Sequence, residues 1–431
     1  MNRLPMVKLA VQNKAPSLNV LGANDRIGVA VVGLTWCNGF GQNHLFGIHE
    51  KATENNTRIV AACDVFSRYR RWGVQRANLR ESQVYADYRR LLERSDVDAV
   101  VVATHEPLHA NTTIDALDAG KHVYCEKPLT RYLGEAFQVY DKVKSTGRVF
   151  QLGAATCSAG AWQKCAKLIQ AGKIGTPVWG QGYYCRNSIG GEWNYLIDPE
   201  ATPENIDWEK WLGPVQPRVP FSAEHFCRWN KYYRYSTGLL GVLASSRLHA
   251  LMLATGNLEF PRRVNCVSTH NLHSDLTTPR TPERDVPEHV QFLSEFPSGL
   301  LLTITCSSVN GRSPGFAIYG HKATLIAGSA GERLDLVPEK EFDREIEPQE
   351  FNGLQPEDIR FHEKNWFDCI RSGKAPNANI DLAIRAQTVL SLAEMADRLK
   401  ITCLFDEKTR RIIDGAGNVI APITYGTLDA S

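Results

Sequence analysis

Lys127 closes the run Val123-Tyr124-Cys125-Glu126-Lys127-Pro128-Leu129, where a short apolar strand stops and a proline follows. Oxidising an alcohol requires a base to take the hydroxyl proton while hydride leaves carbon. A lysine serves if burial and a neighbouring positive charge lower its pKa. Lysines are usually found on surfaces, but a surface position does not suit one set directly before a proline at a strand end.

The second chemical feature is a glycine-rich turn. Residues 26–33 read as a buried parallel strand, an apolar run that ends in Gly33. Gly33, Thr35, Asn38, Gly39, Phe40 and Gly41 follow as a loop, and a helical pattern begins beyond it. A dinucleotide fingerprint needs glycines for a tight turn, for backbone approach to pyrophosphate, and for packing of a helix whose N-terminal amides hold the anion. The strict spacing is broken here. Thr35 stands where the second glycine belongs, and the loop is longer, so Gly39 and Gly41 take over. Asp64 ends a second strand 23 residues beyond Gly41. A carboxylate there accepts hydrogen bonds from the adenosine ribose and repels a 2′-phosphate, which favours NAD over NADP. Arg68, Arg70 and Arg71 follow closely and soften that preference. The plain alternatives are an ordinary glycine-rich loop and an acid that caps the next helix.

These residues need a scaffold, and residues 26–150 supply an alternating one. Strands are expected at residues 58–64, 99–104 and 122–125, with helical segments at 88–95 and 108–119, the latter stopping at Gly120. Such alternation predicts a right-handed parallel α/β sheet. After residue 150, strands at 178–184, 290–296 and 299–306 alternate apolar and polar residues, with Phe296-Pro297-Ser298-Gly299 as a hairpin turn. That predicts a largely antiparallel sheet. Residues 270–287, rich in proline and threonine, read as an exposed excursion, and 381–400 as a helix covering the sheet or returning to the first domain. The expected organisation is an arm over 1–25, a dinucleotide-binding domain over 26–150, and a substrate-binding and oligomerisation α+β domain over 151–431.

The chain has 431 residues, 43% of them hydrophobic, enough for two domains. A net charge of +2 without basic runs gives no footprint for nucleic acid or an anionic membrane. The eleven cysteines are scattered, odd in number and without a C-x-x-C pair, so most are expected to be buried thiols in a reducing compartment. No apolar stretch approaches the ~20 residues that span a bilayer, and no secretory h-region or twin-arginine run precedes residue 25. A cytoplasmic location follows as the expectation.

Five stretches resemble the family of glucose–fructose oxidoreductases, inositol dehydrogenases and their relatives: residues 33–45, ATHEPLH at 103–109, AGKHVYCEKPL at 119–129, WLGP at 211–214 and DCIRSG at 368–373. The resemblance implies a Rossmann domain, a mostly antiparallel sheet domain, and NAD(P) with a sugar or cyclitol in the cleft between them. It further implies that Glu126 and Lys127 flank the nicotinamide, that Pro128 follows a cis peptide bond, and that the stretch containing Thr104, His105 and His109 lines the cofactor. A homo-oligomer, dimer or tetramer, is expected.

The chain departs from these relatives where many carry G-G-G-x-x-x-D-x-x-x-H-x-x-D on a helix. In that register Val242 and Ser246 replace the aspartate and histidine, and His249 takes the place of the last acid. Either His249 supplies the imidazole, or Lys127 works with a tyrosine such as Tyr232, Tyr233 or Tyr235. Tyr183, Arg186, Trp193 and Trp229 are candidate sugar contacts, because aromatic faces pack on a pyranose; ordinary core packing is the alternative for each. His270, His273, Asp285 and His289 match no compact metal motif, and no metal is expected. No G-x-S-x-G run supports nucleophilic hydrolysis. The expected activity is NAD-dependent oxidation of a secondary hydroxyl of a sugar or glycoside, with C3 of a pyranoside as the specific guess. Transient oxidation that breaks a glycosidic bond and a non-catalytic dinucleotide and sugar sensor are the rivals.

Overall fold

The computed structural model describes residues 25–35 and 41–428. The N-terminal arm, Asn38, Gly39 and Phe40 lie outside the described residues.

Six strands form the first sheet: β1 (Ile27–Val32), β2 (Thr57–Cys63), β3 (Val84–Tyr85), β4 (Ala99–Val102), β5 (His122–Cys125) and β6 (Phe150–Leu152), in the order β3-β2-β1-β4-β5-β6. Every pairing is parallel. Val29, Val31, Val100 and Val101 are fully buried, as strands covered on both faces must be. The order reverses between β1 and β4, so their carboxyl ends open a crevice where such sheets bind ligands.

The second sheet has eleven strands. Its centre holds β7 (Pro177–Cys185), β8 (Arg263–Thr269), β9 (His289–Glu295) and β10 (Leu301–Ser307). β7 and β10 pair in parallel, whereas β8, β9 and β10 run antiparallel in turn. The β9–β10 hairpin turns where expected: Gly299, at φ +85°, donates to the Phe296 carbonyl at 2.9 Å.

Four helices bear on the site: α1 (Gly41–Glu50), α2 (Ser245–Thr255), α3 (Ile359–Ser372) and α4 (Ile380–Leu399). α4 is buried on nearly every side, because it packs on the second sheet and against the helix Leu133–Thr146 of the first domain. The two domains are therefore interlocked. Arg131, fully buried, forms a bidentate pair with Glu394 of α4 at 2.7 and 2.8 Å.

One sequence expectation needs correction. Residues 270–287 are not simply an exposed excursion: Asp275 and Arg284 pair inside the protein with side chains at 0% exposure. The buried pair draws a polar, proline-rich segment back onto the domain. Among the described residues no helix is long and apolar enough to cross a membrane, and nine of the ten described cysteines are buried free thiols.

Candidate active site

The ends of β1, β2 and β4 open a cavity of about 390 Å³ whose lining includes Gly33, Thr35, Asp64, Thr104, His105 and Trp211. Gly33 sits at φ +88°, and a Cβ there would lie 2.5 Å from the Ala103 carbonyl oxygen. A Cβ on Gly41 would stand 1.8 Å from the Gly33 carbonyl oxygen, so α1 can start this close to the turn only on a glycine.

Asp64 lines this cavity while bracing the turn. Its Oδ2 accepts the Leu34 amide at 2.7 Å and its Oδ1 the Phe66 amide at 2.8 Å. Burial raises its pKa to about 6 against those two bonds, and each oxygen keeps lone-pair capacity for a ribose hydroxyl. The three arginines expected to soften the NAD preference are occupied elsewhere. Arg68 and Arg71 pair with Glu200, and Arg70 donates to the Asp64 carbonyl at 2.8 Å. The cations in the cavity wall are Arg89 and Lys210.

His105 stacks flat on Trp211, with centroids 4.3 Å apart and an interplanar angle of 1°, and Trp208 stacks behind at 4.5 Å. Burial holds the His105 pKa near 3, so the ring is neutral. His109 does not line the cavity. Its ring lies between the carbonyls of Pro128 at 2.8 Å and Thr104 at 3.0 Å, tying the segment after β5 to the segment after β4. Burial lowers its pKa, opposed by the contacts to the two carbonyls.

Lys127 faces a second cavity, of about 720 Å³, lined also by Glu126, Tyr184, Arg186, Trp193, Val242 and Ser246. The Lys127–Pro128 bond is cis. Lys127 Nζ donates to the Val242 carbonyl within a π-helical turn, Leu240–Ala244, that leads into α2. Such turns interrupt the regular ladder and recur at functional sites. This one is pressed onto the proline that follows the lysine: a Cβ on Gly241 would come within 2.9 Å of Pro128 Cγ. Upstream of the turn, buried Glu106 accepts from the Ser236 hydroxyl at 2.7 Å and the Thr237 amide at 2.9 Å. Burial pushes the Lys127 pKa below the ordinary lysine range, opposed by Glu126, Glu106 and Glu357.

Six candidates fall outside this cleft. His249 lies one helical turn beyond Ser245, 1% exposed in the core, with Nδ1 on the Ser245 carbonyl at 2.7 Å. Burial lowers its pKa to about 4, and it lines neither cavity. Tyr233 lines a different cavity, where Arg398 stacks over its ring at 4.1 Å. Tyr232 and Tyr235 commit their hydroxyls to Glu224 and His225. Tyr183 packs beside Phe316, because side chains alternate along β7 and Tyr184 takes the cleft face. Arg186 and Trp193 do line the cleft, whereas Trp229 lines the first cavity.

Sequence reasoning missed His44 and Glu363. His44 of α1 is fully buried between two carboxylates, with Nδ1 2.7 Å from Glu363 Oε1 of α3 and Nε2 3.0 Å from Glu126 Oε1. Burial works against the charged ring, but the two carboxylates outweigh it and raise its pKa to about 9. Glu126 Oε2 in turn accepts the Lys127 amide at 3.2 Å. The signal for this chain was a histidine three residues beyond Gly41; its partner is 319 residues away in sequence.

Comparison with known proteins identifies this scaffold. Residues 27–154 match the family model described as an oxidoreductase family with an NAD-binding Rossmann fold. That match covers the N-terminal domain alone. The inositol 2-dehydrogenase of Salmonella typhimurium is 25% identical over 228 residues, 52% of this chain and 65% of that enzyme. The inositol 2-dehydrogenase of Klebsiella pneumoniae is 31% identical over 176 residues, 39% of this chain and 51% of that enzyme. The match thus spans one half to two thirds of these curated relatives' length. Among solved structures, an oxidoreductase domain protein from Kribbella flavida is similar with a TM-score of 0.69 at 20% identity, covering 89% of this chain and all of that one. A levoglucosan dehydrogenase in complex with NADH and levoglucosan has a TM-score of 0.66 at 18% identity, covering 90% and 99%. Both extend the likeness in fold across the second domain.

Proposed function

We propose that the protein is an NAD-dependent oxidoreductase that oxidises a secondary hydroxyl of a sugar or glycoside to a ketone, with C3 of a pyranoside as the reacting carbon. The observation that carries this reading is Lys127, a lysine of lowered pKa held by the Val242 carbonyl at the wall of a wide cleft. Gly33, Thr35, Asp64, Thr104 and the ring of His105 would hold the dinucleotide in the first cavity. Bound there, NAD supplies the acceptor for the hydride that leaves the carbinol carbon.

Lys127, as the neutral amine, takes the hydroxyl proton: the O–H bond breaks and an N–H bond forms. The Val242 carbonyl orients the amine, and Glu126 steadies the backbone that carries it. Tyr184, Trp193 and Tyr195 offer aromatic faces for the apolar face of a pyranose, and Asn230 and Arg186 offer hydrogen bonds to its hydroxyls. The named activities of the inositol 2-dehydrogenases and of the levoglucosan dehydrogenase support a polyhydroxylated ring as substrate.

A second reading, a dinucleotide and sugar sensor without turnover, is favoured by Val242 and Ser246, which occupy the cleft positions where many relatives carry an acid and a histidine. A panel of inositols, sugars and glycosides monitored at NADH absorbance separates the readings. Turnover that depends on Lys127 supports the oxidoreductase. NAD binding without turnover across the panel would favour the sensor, and sugar release without net NADH would point to a glycosidase working through transient oxidation.

A further inference from the structure

We propose that His270, His273 and Glu283 form a site for a divalent transition metal of the zinc, cobalt or nickel type, separate from the two cavities of the redox site. All three lie on the segment that leaves β8 and returns toward β9. One ligand atom from each lies within 4.8 Å of the other two. The rings of His270 and His273 stand 4.8 Å apart, and His273 Nδ1 already contacts Glu283 Oε1. His270 Nε2 lies 3.6 Å from the same oxygen and is a buried nitrogen with no hydrogen-bond partner.

Metal–ligand bonds of about 2.0–2.2 Å in a tetrahedron place donor atoms roughly 3.3 Å apart. The His270–Glu283 separation is close to that value. Two imidazoles and one carboxylate suit zinc, cobalt or nickel, and three protein ligands leave one position for water. Asp285 and His289, the other two candidates from the sequence, are not in the group; Asp285 accepts the Tyr233 amide at 2.6 Å.

Buried carboxylates hold the backbone on both sides of the cluster before any ion arrives. Glu288, 1% exposed, accepts the amides of Leu272 and His273 at 3.1 Å and of Ser274 at 2.6 Å. On the returning limb, Asp275 grips Arg284, the neighbour of Glu283, at 2.6 and 2.8 Å. The ligands thus project from fixed limbs, and the half-exposed His273 and Glu283 leave an entry path. Arg284 also donates to the Glu192 carbonyl at 2.6 Å and lies over Trp193 of the substrate cleft at 5.8 Å. A bound ion closes the loop that braces that wall.

The test uses the full-length chain without a histidine tag, stripped with a chelator. Calorimetric titration with Zn²⁺ is expected to show one equivalent bound with a dissociation constant of micromolar or tighter, and a raised unfolding temperature. His270→Ala and His273→Ala should each weaken binding at least tenfold, whereas His289→Ala should leave it unchanged. Co²⁺ bound to the wild type should give a visible spectrum of nitrogen and oxygen donors without thiolate charge transfer. The proposal is overturned if the wild type binds no stoichiometric ion, if His273→Ala binds as tightly as wild type, or if the Co²⁺ spectrum shows thiolate ligation.

Discussion

The two cavities are built by different means. The one at the ends of β1, β2 and β4 depends on backbone: a glycine at positive φ, a second glycine where the helix touches the turn, and an aspartate bound to two amides. The one around Lys127 depends on side chains and one carbonyl gathered from β5, β7, the π turn and α2. Backbone requirements limit residue choice locally, so the first cavity keeps a readable pattern. The second is assembled from separate elements, so its residues, Val242 and Ser246 among them, leave no comparable local pattern.

The sharpest test of that contrast is Lys127→Ala. Loss of a general base typically costs ~10²–10⁴-fold in rate, so kcat should fall by that order while NAD affinity, set in the other cavity, changes little. In the wild type, kcat/KM for oxidation should rise with pH as Lys127 loses its proton, with the limb below the ordinary lysine value of ~10.4 because burial lowers its pKa. A variant with near-normal kcat would remove Lys127 from the mechanism.

His44→Leu is expected to destabilise the fold by roughly 3–5 kcal/mol in denaturant unfolding, because Glu126 and Glu363 are left buried without their cation. The wild-type contribution has a defined pH window. Since folding raises the His44 pKa to about 9, its stabilisation is complete below the unfolded value of ~6.5 and is lost as pH rises through about 9. His44→Gln should abolish that decline in stability across this window; a mutant with the same pH profile would show that another group controls it.

Asp64→Ala probes the first cavity. NAD affinity should fall about tenfold, as the loss of a hydrogen bond and of the brace on Leu34 implies, with a smaller change for NADP. A wild-type preference for NADP, measured by titrating both, would shift control of the pocket to Arg89 or Lys210. The smallest effects belong to the residues outside the cleft. His249→Ala should cost stability as a buried truncation while kcat stays within about twofold, and Tyr233→Phe should leave kcat equally unaffected. A large kcat loss in either would reopen the question of a second proton-transfer group.

Much of the scaffold was legible because its signals are local. The valines of β1 and β4 mark buried parallel strands, Gly33 marks the turn, and Phe296 to Gly299 mark the hairpin. Along β7, Tyr183 stands one residue from the cleft-lining Tyr184: adjacent residues point to opposite faces, and the faces are distinguished only by what packs on them. His249 was misplaced for a similar reason, since its helix is buried on several sides and composition does not show which side meets the cleft.

Sequence alone determined the parallel first sheet and the glycine turn at its mouth and singled out Lys127 as a candidate, because strand ends, glycine turns and a lysine–proline junction are constraints between neighbours in the chain. Folding determined which distant groups meet. His44 finds Glu363, Glu126 finds His44 and Lys127 finds the Val242 carbonyl through the packing of separate elements. Such contacts carry little local signature, because a buried charge needs a partner of the right chemistry in space, wherever in the chain that partner lies.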